Sequence, residues 1–98
     1  MKVLWTDAAN AQLELINNYV AQTSQEYALK IVDQLTSRSQ QIADFPFSGR
    51  MVPEYELDVV REVIDGSYRI VYLINNEQEQ IEILAVIHTS RERFKPLE

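Results

Sequence analysis

Two runs of β-branched and aromatic residues, Tyr68–Ile74 and Ile81–Ile87, stand on either side of a short polar stretch at Asn75-Asn76-Glu77. Runs of this length and composition between turn residues read as strands, and so short a connection joins them as an antiparallel hairpin. A third run, Val59–Ile64, precedes them across Asp65-Gly66-Ser67 and extends the hairpin to a meander. A small sheet of this kind cannot bury its own apolar surface, so the rest of the chain has to cover it.

The first half supplies that cover. Lys2–Trp5 reads as a short strand, after which Thr6 offers an N-cap hydroxyl and Asp7 a first-turn acid. Ala9, Leu13, Ile16 and Val20 then recur at helical spacing with Tyr19 on the same arc, which predicts an amphipathic helix over residues 7–21. Thr23–Glu26 has the form of a capping box, and Tyr27, Ala28, Ile31, Leu35 and Ile42 form the stripe of a second helix. Arg38 falls inside that stripe, where a long stem snorkels at the edge. Residues 45–53, with two prolines and a glycine, read as a loop. The expectation is an α+β fold of order β-α-α-β-β-β, with residues 1–98 as one domain. The N-terminal strand and helical hairpin pack on a small, mainly antiparallel sheet.

Burial has to hold this fold together, because 46% of the 98 residues are hydrophobic and none is cysteine. Disulfides and thiolate metal sites are thereby excluded, and the reading includes no metal or cofactor. The N-terminus lacks the pattern of a signal peptide, and no segment approaches the roughly 20 apolar residues of a membrane span. A cytoplasmic protein is expected. Fifteen acids against nine bases give a net charge of −6, which argues against unaided, sequence-specific nucleic-acid binding and favours a protein partner. Between His88 and Lys95 the sign reverses locally, with Arg91, Arg93 and Lys95 against Glu92.

Strict alternation assigns the faces of the sheet. It points Ile81, Ile83, Ala85 and Ile87 at the helices with Tyr68, Ile70, Tyr72 and Ile74, and puts Glu82, Leu84, Val86 and His88 on the other face beside Arg69, Val71 and Leu73. That outer face is too apolar for a merely solvated surface, so a second chain is expected to cover Val71, Leu73, Leu84 and Val86. The register of the preceding strand stays open. A three-residue turn pairs Ile64 with Tyr68 and puts Arg61 on the face of Arg69, whereas a two-residue Asp65-Gly66 turn puts it opposite.

Phe45-Pro46-Phe47-Ser48-Gly49-Arg50-Met51-Val52-Pro53-Glu54, Val60-Arg61-Glu62, Tyr68-Arg69-Ile70-Val71-Tyr72 and Val86-Ile87-His88 together resemble the RelE/ParE superfamily of bacterial type II toxins. The resemblance spans nearly the whole chain. It implies the same two-helix, antiparallel-sheet fold and a cognate antitoxin that wraps and neutralises the toxin. One branch of the superfamily cuts mRNA in the ribosome, and the other inhibits DNA gyrase. Ser48 stands where one nuclease subgroup carries an acid, the sheet offers only Arg61 and Arg69 as cations, and no Tyr accompanies His88, so the gyrase branch is favoured. Arg50, Arg69, His88, Arg91 and Arg93 are then the expected target contacts. As an mRNA endonuclease, the alternative, the chain would use Arg50 and Arg69 on the phosphate and His88 as acid. A non-toxic, antitoxin-binding module of the same fold is a third reading. His88 otherwise serves as a structural strand-end group, and Arg69 as a partner of Glu62 across the hairpin.

Overall fold

The structure, a computed structural model, describes residues 1–90. Five strands and two helices follow in the order β1 (Lys2–Trp5), α1 (Asp7–Ala21), α2 (Gln25–Asp44), β2 (Arg50–Met51), β3 (Val60–Asp65), β4 (Tyr68–Asn75) and β5 (Gln80–His88), with a 3-10 turn at Pro46–Ser48. They form one sheet ordered β1-β5-β4-β3-β2, in which β1 runs parallel to β5 and the other pairs are antiparallel. The α+β order read from the sequence is present. The short β2 lies inside the segment expected to be loop throughout.

Local chemistry accounts for the helix starts. Thr6 Oγ1 accepts the Ala9 N–H at 3.2 Å and donates to the Ile83 carbonyl at 2.7 Å, so one hydroxyl caps α1 and ties it to β5. α2 begins one residue later than the capping-box pattern implies, because Ser24 rather than Thr23 accepts the Tyr27 N–H, at 3.1 Å. Ala9, Ile31, Leu35 and Ile42 are buried against Ile70, Tyr72, Ile74, Ile81 and Ile83, the main core between helices and sheet. Tyr19 and Tyr27, both expected on the apolar arcs, are instead more than half exposed, at 57% and 56%. They flank a hollow beside the β3–β4 turn. Arg38 lies at the edge as a snorkelling residue does, with its guanidinium 4.0 Å from Asp65.

The β3–β4 turn differs from both alternatives posed by the sequence. Asp65 pairs with Tyr68 around Gly66-Ser67, and Gly66 takes the positive φ of 59° that such a tight turn requires. Arg61 therefore pairs with Tyr72 and lies on the helix side, opposite Arg69.

β5 carries the main departure from strict alternation. Val71 pairs with Ala85 but Tyr72 pairs with Ile83, so Leu84 is the extra residue of a β-bulge. Past the bulge every side chain changes face. Ala85 and Ile87, expected under the helices, belong to a second core on the outer face, while Val86 joins the helix-side core. His88 moves with Val86, and its ring meets the helix-side Tyr68 edge-on at 5.3 Å. Gln12 of α1 accepts the Val86 N–H at 2.8 Å, giving the shifted strand a partner where β1 has already ended.

Candidate functional site

The outer face of the sheet is covered from within the chain. Val52 packs with Val60, Val71, Ala85 and Ile87 into the second core, and Tyr55, Leu73 and Leu84 lie against it. The segment after β2 thus folds back over surface that was expected to await a partner. Val71 and Val86 are 0% and 1% exposed, leaving Leu73 and Leu84 as the half-buried apolar groups of the predicted set. Val86 in addition faces the helices, for the reason given by the bulge.

Beside this core sits a buried carboxylate. Glu62 is 1% exposed, and Arg69 Nε donates to its two oxygens at 2.7 and 3.1 Å. Arg50 Nε, from the pairing partner β2, donates to Glu62 Oε2 at 3.2 Å, and Arg69 reaches Glu54 at 3.3 Å with its other end. Two guanidinium groups offset the desolvation of one buried anion, the condition under which such a charge is tolerated. The side chain of Arg69 is only 17% exposed in this role, whereas that of Arg50 is 72% exposed.

The loop that delivers Arg50 is locked to the sheet by Tyr72. Its hydroxyl donates to the Pro46 carbonyl at 2.6 Å and accepts the Gly49 N–H at 3.1 Å. A Cβ at residue 49 would stand 2.5 Å from that hydroxyl and 2.6 Å from the Glu62 carbonyl oxygen, so only glycine permits this approach. Burial raises the Tyr72 phenol above its ordinary value of 10.0, against the lowering influence of the Gly49 hydrogen bond and of Arg61. Arg61 itself donates to the Gly49 carbonyl at 3.0 Å and lies over the Phe47 ring, 5.1 Å from its centroid. Arg61 was not among the expected site residues, and the only sequence signal for this latch is the Phe-Pro-Phe-Ser-Gly run that it grips.

His88 stands apart from these groups. Its Nδ1 accepts the Ser90 N–H at 3.2 Å, and because a backbone N–H can only donate, the proton of the neutral imidazole is on Nε2. Arg69, next to Tyr68 on β4, points to the opposite face. The fold therefore joins Arg50 and Arg69 at Glu62 and separates both from His88. Arg91 and Arg93 lie outside the described residues. Among those described, no three His, Cys, Asp or Glu side chains are grouped as metal ligands would be, and no helix is long and apolar enough to cross a membrane.

Residues 3–93 match the family model of the ParE toxin of the type II toxin-antitoxin system parDE. The chain belongs to the ParE toxin family. No curated protein matches it. Among solved structures, the chain resembles the chromosomal ParDE system from P. aeruginosa with a TM-score of 0.74 at 24% identity, over 92% of this chain and 97% of that one. The RelBE2 toxin-antitoxin complex from Mycobacterium tuberculosis gives 0.61 at 22% identity, covering 89% and 88%. The YoeB/ParE toxin from Agrobacterium tumefaciens gives 0.64 at 16% identity, covering 90% and 98%. At these identities the structural likenesses establish a shared fold, and the ParE family assignment rests on the family model.

Proposed function

We propose that this ParE family member is the toxin of a type II toxin–antitoxin pair, that it acts by inhibiting DNA gyrase, and that a cognate antitoxin neutralises it. Family membership supports the toxin, and the similarity to a ParDE system and to a RelBE2 toxin-antitoxin complex supports the antitoxin. Leu73 and Leu84, half-buried at the margin of the outer core, remain apolar groups that such a partner would cover.

The observation that favours gyrase over mRNA cleavage is the division of the cationic residues between the two faces. Cleavage through a 2′-hydroxyl needs proton transfer and charge stabilisation around one phosphate. Here Arg50 and Arg69 neutralise Glu62 on one side of the sheet, while the His88 imidazole packs on Tyr68 on the other. Inhibition of a protein target requires no such convergence, and it is compatible with a net charge of −6.

Adding the purified chain to gyrase in the absence of antitoxin is expected to lower DNA supercoiling. Full supercoiling at a large molar excess of folded chain would overturn the reading. Codon-positioned cuts on translated mRNA that vanish in a His88→Ala/Arg69→Ala variant would establish the nuclease instead.

A further inference from the structure

The two edges of the sheet end differently. One edge is the two-residue β2, whereas the other presents the four residues of β1. Lys2 and Thr6 donate their N–H groups to the Glu79 and Ile83 carbonyls, both at 3.1 Å, so the even-numbered residues bond to β5. Val3 and Trp5, between them, direct their backbone groups away from the sheet. Just beyond β1 the chain closes the edge itself, where Gln12 accepts the Val86 N–H at 2.8 Å. Asn10 donates to the Trp5 carbonyl at 3.4 Å. Among the described residues, the Val3 N–H and C=O and the Trp5 N–H have no hydrogen-bond partner.

The side chains of this strand sort by face. Val3 and Trp5 pack against the helix-side core, which leaves Leu4 on the outer face opposite Glu82 of β5. Leu4 is 48% exposed, and Lys2 is the one charge that guards the edge.

These outward groups are self-complementary. A second copy running antiparallel about a two-fold axis at Leu4 sets Val3 opposite Trp5 on both sides of the axis, so that each pair exchanges N–H···O=C bonds. Leu4 then faces its own counterpart in the closely spaced, non-hydrogen-bonded pair. Lys2 stands opposite Thr6 of the other copy, one residue from the exposed Asp7, so the single base of the strand meets an acid rather than another base.

We infer that β1 is the dimerisation edge of this chain, joining two five-stranded sheets into one continuous sheet. A four-residue strand buries less surface than a permanent dimer needs, so the contact depends on concentration. Pairing here leaves the two β2 strands, and Arg50 with them, at the far ends of the joined sheet. The inference is independent of whether the target is gyrase.

Sedimentation equilibrium of the purified chain from about 10 μM to about 1 mM, the range in which so small a contact dissociates, is expected to show the mass rising from one copy towards two. Over the same range, amide exchange of Val3 and Trp5 should slow, while Lys2 and Leu4, already bonded to β5, change little. Leu4→Lys keeps the fold, since the new ammonium faces Glu82, but it sets like charges on the axis and should weaken dimerisation at least about tenfold. Leu4→Glu should do the same, and an equimolar mixture of the two variants should recover dimers that neither forms alone, with β4 amide shifts confirming that both fold. A single-copy mass across the whole range, dimers that survive either substitution, or a mixture that stays monomeric would each overturn the inference. Protection of Val3 and Trp5 that appears only when a cognate antitoxin is added would assign the edge to that partner instead.

Discussion

The two faces of this sheet are sealed by different physics. On the helix side, Leu35, Ile42, Ile70, Ile81 and Ile83 interlock as aliphatic groups contributed by α2 and the two strands β4 and β5. On the outer side, a smaller aliphatic core under the segment after β2 lies beside Glu62, a carboxylate with no exposed side-chain surface. The first arrangement loses stability gradually as methylenes are removed, since each contributes about 0.8 kcal/mol. The second depends on keeping a single charge neutralised. Sheet faces of similar apolar content can therefore respond very differently to single substitutions.

Arg69→Ala gives the steepest test of that contrast. It leaves Glu62 buried with Arg50 alone, and breaking a buried pair from one side costs about 3–5 kcal/mol. The lower end is expected, because the exposed Arg50 remains at 3.2 Å. Urea unfolding measures the loss, and the Glu62→Leu/Arg69→Leu double variant should recover most of it. A cost below about 1 kcal/mol would mean that water already solvates the carboxylate and that the outer face has no special dependence on the pair.

Deleting Leu84 has a smaller expected effect and tests what assigns residues to each face. The bulge inserts this residue without a partner on β4, so its removal leaves Ala85 opposite Val71 and His88 opposite Tyr68. The expected cost is on the order of 1 kcal/mol, the burial of a half-covered leucine. The Tyr68–His88 ring contact, followed by NOE between the two side chains, should persist. Its loss would show that the bulge holds the register rather than merely interrupting it.

That register was the part of the fold least legible in the sequence. The strands, both helices and their order follow from residue periodicity and turn chemistry, which act locally. Alternation fixes a strand's phase only where one face is apolar and the other polar, and past Leu84 the sequence reads Ala85-Val86-Ile87. Apolar residues there suit both cores equally, so the bulge leaves no pattern. The consequence reached the candidate site, since it moved His88 away from Arg69. The pairing of Arg69 with Glu62 was legible, because opposite charges two residues off register on neighbouring strands lie within reach. The second cation was not. Arg50 arrives through β2, whose two residues are too few for a periodic signal, on a loop placed by the contact of Gly49 with Tyr72, 23 residues further along the sequence.

Glu82, a second carboxylate on the outer face, sharpens the comparison at its weakest point. Unlike Glu62 it has no cation beside it in β4 or β5. Asn75 and Gln80 side chains donate to it at 3.0 and 2.9 Å, and these two hydrogen bonds, the Asn75 bond first, hold its pKa below the ordinary 4.5. A depressed folded-state pKa contributes stability that is present above the unfolded value and lost as pH falls through the folded one. Stability of the parent chain to urea should therefore fall on acidification below about pH 4.5, and Glu82→Gln should flatten part of that slope by lowering stability at pH 7 towards its acid value. Neutral amides carry no charge for salt to screen, so added salt should leave the Glu82 share of the slope unchanged. If the slope is the same in Glu82→Gln, acid sensitivity belongs to other carboxylates, and the outer face draws no measurable stability from this one.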